Sequence, residues 1–134
     1  MADVNRGNRP LSPHLQVYRP QLTSVTSIFT RITGNALIVS ALLIVWWFLA
    51  AATGPEAFAT ADRVLTSFFG DVILLGSLWA LWYHFLAGAR HLYWDTPHGI
   101  RHGLELGMAE KLGWGCVYGS VALTVLTFLL FAAF

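Results

Sequence analysis

Residues 84–95 read HFLAGARHLYWD and close a long apolar run that begins near Val64. Membrane segments exclude ionisable side chains unless those groups have a function, yet this stretch carries His84, Arg90, His91 and Asp95. Small residues recur with His84 at intervals of four, which places them along one face of a helix; they are Gly76, Ala80 and Gly88. The stretch therefore indicates a membrane helix that presents a histidine in a shallow trough.

A trough of this kind can be interpreted in three ways. A flat macrocycle such as haem can enter it and bind the imidazole through iron. Small residues also allow two helices to pack closely, and a histidine in a membrane can pack or carry protons. The spacing alone leaves all three interpretations open.

The composition places the chain in a membrane. Of its 134 residues, 56% are hydrophobic and 11% are charged, whereas soluble domains carry about 25% charged residues. The net charge of +1 gives no support for nucleic-acid binding. The single cysteine, Cys116, can form no internal disulfide, and the polar N-terminus is unlike a signal peptide. We therefore predict an all-α protein in a bacterial inner membrane.

Three apolar segments predict three transmembrane helices, because about 20 apolar residues cross the hydrocarbon core. The predicted spans are residues 26–53, 64–93 and 112–134. Residues 23–134 then form one membrane-anchor domain, preceded by a polar tail over residues 1–22 that holds three prolines. In the third span Gly115 and Gly119 form a small-xxx-small pair, which permits close packing against another helix.

The connections between the spans are predicted to be polar. Residues 56–63 are expected to form a short link, and residues 96–111 a longer exposed loop. The loop contains His98 and His102, but their loose spacing and the lack of cysteines do not favour a metal site. Asp71, near the start of the second span, is interpreted as an interfacial or helix-facing carboxylate.

Positive charges predict the topology, since they concentrate on the cytoplasmic side. The tail, the start of the first span and the second connection together carry seven of them: Arg6, Arg9, Arg19, Arg31, Arg90, Arg101 and Lys111. The first connection carries only Arg63. The N-terminus and the second connection are therefore predicted to be cytoplasmic.

Ser27 and Arg31 form a second cluster, because four residues apart on a helix places them on one face. An arginine within a membrane needs an anionic or carbonyl partner. A haem propionate, a quinone carbonyl and an acid on another subunit are the candidates. Alternatively, the side chain extends to the lipid headgroups.

If His84 binds a haem iron, the chain supplies only half of the site. An electron-carrying haem takes a second axial ligand from the opposite side of the ring. His91 lies on the same helix, roughly 10 Å along its axis, and the first and third spans contain no histidine. The chain also lacks a nucleotide-binding loop and a nucleophile–base pair. It is therefore predicted to be an electron-transfer subunit of a larger complex.

Two motifs resemble the cytochrome b membrane-anchor subunits of succinate dehydrogenase, respiratory complex II. The first is RPLSPHLQVY at residues 9–18, continuing to SIFTRITG at residues 27–34, and the second is residues 84–95. The resemblance covers almost the whole chain. It implies a three-helix fold, attachment to an iron–sulfur and a flavoprotein subunit, and a part in ubiquinone reduction.

The resemblance also implies roles for particular residues. His84 matches the axial ligand of haem b, with the other histidine supplied by a second anchor subunit. Ser27, Ile28 and Arg31 match the ubiquinone site, and Arg31 also matches a neighbour of a haem propionate. The family usually has histidine where this chain has Thr30, and threonine cannot carry its charge, so propionate pairing is expected to rest on Arg31 or the partner. The alternatives are a fumarate reductase anchor and a non-redox structural or assembly subunit.

Overall fold

The computed structural model describes residues 18–133, and these residues are almost entirely helical. The elements are α1 (Leu22–Thr53), α2 (Pro55–Leu65), α3 (Phe68–Trp94), a π-helical turn (Gly99–Gly103) and α4 (Leu106–Ala132). Helices α1, α3 and α4 are long and apolar enough to cross a membrane. The prediction of an all-α chain with three spanning helices is confirmed. Most of the predicted polar tail lies outside the described residues.

The first connection is helical, which differs from the short link predicted for residues 56–63. It forms the 11-residue amphipathic helix α2, and this kind of helix is typical of the membrane surface. Gly54 separates α1 from α2 with a φ of 147°, a conformation open to glycine and rare for other residues. Pro55 then begins α2 at the position where proline costs no hydrogen bond.

The second and third spans also begin elsewhere than predicted. Helix α3 begins at Phe68, because Ser67 caps its first turn by accepting a hydrogen bond from the Gly70 amide at 3.2 Å. Helix α4 begins at Leu106, so its first turn uses residues that were assigned to the polar loop. The remaining connection contains the π-helical turn. The Trp94 indole at the end of α3 donates a 2.9 Å hydrogen bond to the carbonyl of Gly103, the last residue of this turn.

The helices meet through small and polar side chains, and their large apolar side chains face outward. Helix α3 is central and contacts both α1 and α4. Its buried positions include Ala80 and Ala87, whereas Leu42 and Phe48 on α1 are 64% and 62% exposed. Membrane helices show this arrangement because lipid tails are as apolar as these side chains, so burying them between helices gains no hydrophobic free energy. The exposed surface is therefore suited to lipid and partner helices.

The glycine pair on α4 behaves differently from the prediction. A Cβ atom at Gly119 would lie 3.0 Å from the Leu86 side chain of α3, so this glycine does permit close approach. A Cβ atom at Gly115 would meet nothing within 4 Å. Only one member of the pair therefore contacts a helix among the described residues, because the two lie about 40° apart around α4.

Candidate functional site

His84 lies half-buried on α3, with its imidazole against the backbone of α1. Its Nδ1 atom is 3.1 Å from the Thr30 carbonyl oxygen and 3.4 Å from the Thr33 hydroxyl. A carbonyl oxygen only accepts hydrogen bonds, so Nδ1 carries the proton and donates it. The lone pair of the neutral ring is then on Nε2. Histidines that bind metals are oriented in this way, with the second ring nitrogen donating to a carbonyl or carboxylate.

Gly34 lets the imidazole lie this close to α1. A Cβ atom at position 34 would come within 3.0 Å of the Cε1 atom of His84 and 3.5 Å of Nδ1. Any larger residue would therefore displace the ring or separate the two helices. Gly34, Arg31 and Ser27 are spaced at i, i−3 and i−7, so they share one face of α1.

The predicted quinone-site residues follow this face toward the start of α1. Arg31 and Ser27 lie about 4.5 and 10 Å from Gly34 along the helix axis. Arg31 is exposed, Ser27 is half-buried, and Ile28 beside them is 54% exposed. Within residues 18–133, neither the Ser27 hydroxyl nor the Arg31 guanidinium has a hydrogen-bond partner. The face therefore presents a hydroxyl and a cation beside the imidazole.

The trough of small residues around His84 is only partly open. A Cβ atom at Gly76 or Gly88 would meet nothing within 4 Å, so both glycines leave space on the His84 side of α3. Ala80 is 3% exposed and belongs to the helix-packing interface. The two outer positions of the predicted trough are thus free for a ligand or partner, and the middle one is not.

Thr30, which stands where the related proteins usually have histidine, contributes to the site through its main-chain carbonyl. Its hydroxyl donates to the Thr26 carbonyl at 2.8 Å, and its own carbonyl accepts from His84. Any residue supplies a carbonyl, so threonine here is compatible with the orientation of the imidazole. The hydroxyl is occupied within α1 and is not available to an external anion in this arrangement.

Sequence reasoning missed a buried polar cluster beside this site. Tyr83 is 1% exposed and donates to the Thr26 carbonyl at 3.1 Å. Arg90 is 5% exposed and donates from Nη1 to the Thr26 hydroxyl at 3.2 Å. The signal was present in the spacing, because Tyr83, Ala87 and Arg90 stand at i, i+4 and i+7 and so occupy one face of α3.

The other histidines within residues 18–133 lie apart from His84. His91 is exposed, with its ring 5.2 Å from that of Trp94. The rings of His98 and His102 are 4.8 Å apart. Within residues 18–133, no three histidine, cysteine or acidic side chains come together in a way that could hold a metal ion.

Comparison with known proteins places the chain in a family. Residues 5–131 match the sequence model described as "Succinate dehydrogenase/Fumarate reductase transmembrane subunit". The match covers nearly the whole chain and includes both motifs and all three spanning helices. The chain belongs to this family. The resemblance inferred from the sequence is thereby confirmed.

Several members of the family are similar over most of their length. The chain is 58% identical over 134 residues to the succinate dehydrogenase cytochrome b556 subunit of Paracoccus denitrificans, covering 100% of both chains. It is 36% identical over 118 residues to the protein of that name from Rickettsia conorii, covering 88% of this chain and 89% of the relative. The succinate dehydrogenase cytochrome b560 subunit of Marchantia polymorpha is 40% identical over 94 residues, with coverages of 66% and 68%.

Family and fold agree on the general role of the chain. The family is one of transmembrane subunits, and three of the described helices can cross a membrane. The chain is therefore a multi-pass membrane protein and a membrane anchor of the succinate dehydrogenase class.

Proposed function

We propose that the chain anchors succinate:ubiquinone oxidoreductase, binds haem b together with a second anchor subunit, and forms part of the ubiquinone-reduction site. The observation that carries this proposal is the hydrogen bond from His84 Nδ1 to the Thr30 carbonyl, which leaves Nε2 as the metal-binding nitrogen. The names of the relatives support haem, since they are called cytochrome b556 and b560 subunits. Their names also support succinate as the electron source of the complex.

The residues present suit a haem of the b type. His84 provides one imidazole in a fixed orientation, while Gly76 and Gly88 leave space on either side of it along α3. The only other histidine of α1, α3 and α4 is His91, which lies on the same helix as His84, so a second histidine ligand would come from the partner anchor. When bound, haem b supplies a site that holds one electron and whose potential depends on its axial ligands and surroundings.

Arg31 and Ser27 are assigned to ubiquinone. The Ser27 hydroxyl donates a hydrogen bond to a quinone oxygen and so fixes the orientation of the ring. The Arg31 guanidinium stabilises the negative charge that develops on the quinone as electrons arrive, an effect that is strong where water is excluded. Ile28 provides an apolar wall for the same ring. Arg31 also lies at a depth from which it can pair with a haem propionate.

The partners and topology follow from this assignment. Succinate is oxidised in a flavoprotein subunit, and electrons reach the quinone through an iron–sulfur subunit. That subunit would contact the membrane on the side where α1 begins, because Ser27 lies only about one and a half turns from the start of this helix. The distribution of positive charges supports a cytoplasmic location for this side in a bacterium, so we assign the N-terminus to the cytoplasm and the C-terminus to the opposite side.

Replacing Gly34 by valine is expected to lower the haem content of the purified complex by about tenfold, comparable to the loss of a supporting contact at a metal site. The branched valine side chain would press against the His84 ring and displace it, because the Cε1 atom of that ring lies only 3.0 Å from a Cβ at this position. Haem is measured per flavin from the reduced-minus-oxidised spectrum. Gly115→Val is the matched control, because its Cβ would meet nothing within 4 Å, and it should retain haem.

Purification of the chain from its native membrane tests the proposed function as a whole. An affinity tag at the C-terminus should bring down a flavoprotein, an iron–sulfur protein and a second small membrane protein. The preparation should show a b-type haem spectrum and reduce ubiquinone with succinate. A preparation that lacks the flavoprotein and haem would favour a structural or assembly subunit, and would overturn the proposal. Fumarate reduction with quinol far exceeding succinate oxidation would point to a fumarate reductase anchor.

A further inference from the structure

Two buried side chains of α3 donate hydrogen bonds to the same residue of α1, Thr26. The Tyr83 hydroxyl donates to the Thr26 carbonyl at 3.1 Å, and Arg90 Nη1 donates to the Thr26 hydroxyl at 3.2 Å. Tyr83 is 1% exposed, Arg90 is 5% exposed and Thr26 is 1% exposed. The contact is therefore shielded from both water and lipid, where a hydrogen bond is at its strongest.

Burying the Arg90 guanidinium costs desolvation free energy, which a residue that only packs would not need to incur. Its Nε atom is buried without a hydrogen-bond partner, and within residues 18–133 no carboxylate pairs with its guanidinium. The Trp94 ring, 4.9 Å from the Arg90 Cζ atom, offers a cation–π contact. Apolar side chains of similar volume would hold two helices together at lower cost. The guanidinium is therefore better explained by a requirement for a defined helix arrangement than by stability.

Thr26 is suited to receive these contacts because its own donor is already used. Its hydroxyl donates back to the Thr23 carbonyl at 3.1 Å, a local bond that threonine commonly makes within helices. The remaining lone pairs then accept from Arg90. The Thr26 carbonyl accepts from both Tyr83 and the Thr30 hydroxyl, the latter at 2.8 Å. Through these two bonds, the carbonyl connects the turn of α1 at Thr26 with the next turn at Thr30, and both turns contact α3.

We propose that Tyr83 and Arg90 position the quinone-binding residues of α1 by fixing Thr26. Ser27 follows Thr26 directly in the chain, and Arg31 follows Thr30, whose carbonyl accepts from His84. Helix α3 thus holds α1 at two successive turns, and a proposed quinone contact comes directly after each of them. A rotation of α1 by one residue would turn these side chains by 100°. Tyr83 and Arg90 act through α1 and do not contact the quinone.

This inference rests on the proposed ubiquinone site, and Tyr83→Phe in the assembled complex tests it. We expect the apparent KM for a short-chain ubiquinone to rise about five- to tenfold, the effect of losing one buried hydrogen bond. The haem spectrum and the oxidation of succinate with an artificial dye should stay unchanged. Tyr118→Phe is the matched control, because Tyr118 is 66% exposed on α4. An unchanged KM in Tyr83→Phe would overturn the proposal.

Arg90→Lys tests the second contact while it keeps the charge. Lysine lacks the planar fork that reaches Thr26 and stacks on Trp94, so the KM for ubiquinone should rise while dye-linked succinate oxidation persists. Arg63→Lys, on the exposed side of α2, serves as the control and should leave the KM unchanged. A normal KM in Arg90→Lys would remove Arg90 from the proposal.

A double-mutant cycle separates positioning from a general loss of structure. If Tyr83 acts through Ser27, then Tyr83→Phe should change the KM little once Ser27→Ala has been made, so the two effects do not add. Fully additive effects would contradict positioning. A separate variant, Arg31→Ala, distinguishes the two proposals, because normal quinone reduction in it would contradict the quinone site itself. Impaired quinone reduction in Arg31→Ala together with a normal KM in Tyr83→Phe would contradict only the positioning role.

Discussion

Replacing His84 by alanine should abolish the low-spin haem b band of the purified complex. The hydrogen bond from Nδ1 to the Thr30 carbonyl fixes this imidazole and leaves its Nε2 atom to bind iron. Alanine removes the ligand without adding bulk. The proposed haem would then lose one of its two protein ligands, and one remaining ligand would not produce the low-spin spectrum. The measurement is the reduced-minus-oxidised spectrum per flavin.

His102→Ala is the matched control for this experiment. His102 lies in the π-helical turn and is exposed, with its ring 4.8 Å from that of His98 and tilted by 50°, so its loss should leave the haem band intact. A haem band of normal height and position in the His84→Ala complex would remove His84 as the ligand. Loss of the band in both variants would indicate that the spectrum reports assembly and not ligation.

Replacing Arg31 by alanine should reduce the rate of succinate-driven ubiquinone reduction by about 100-fold, the usual effect of removing one group that stabilises developing charge. Arg31 is exposed on the face of α1 that also carries Ser27 and Gly34, and within residues 18–133 its guanidinium has no hydrogen-bond partner. Its loss therefore removes a charge from the proposed ligand site without breaking a side-chain hydrogen bond of the described residues. Succinate oxidation with an artificial dye should continue at the normal rate.

The control for Arg31 is Arg63→Ala, on the exposed surface of α2 at the other end of the helices. It removes the same charge far from Ser27 and should leave both activities unchanged. Equal loss of the quinone and dye activities in Arg31→Ala would indicate failed assembly and contradict a direct role. An unchanged quinone rate would place Arg31 among the residues that merely reach the headgroups.

Hydropathy predicted the number of spanning helices well, because long apolar runs have few alternatives in a membrane. Their ends were predicted less well, since local contacts fix them. The Ser67 cap starts α3 later than the apolar run suggests, and residues 106–111 are helical despite Glu110 and Lys111. Helix α2 was missed because an 11-residue segment of mixed charge resembles a loop when it is read without the membrane surface.

The candidate site was predicted from residue type and spacing, and its internal contacts were not. The i, i+4 spacing of Ser27 and Arg31 places both on one face, and the structure shows Gly34 on that same face beside His84. The link from His84 to the Thr30 carbonyl depends on how α3 rotates against α1, and a single sequence does not specify that rotation. The Tyr83 contact with Thr26 escaped prediction for the same reason.

A density map of the assembled complex, at a resolution that separates the two nitrogens of an imidazole, tests the central claim most directly. The account predicts a porphyrin between this chain and a second anchor, with its iron bonded to His84 Nε2 while Nδ1 remains within hydrogen-bonding distance of the Thr30 carbonyl. An iron bonded through Nδ1, or an imidazole facing lipid with no porphyrin beside it, would contradict the account.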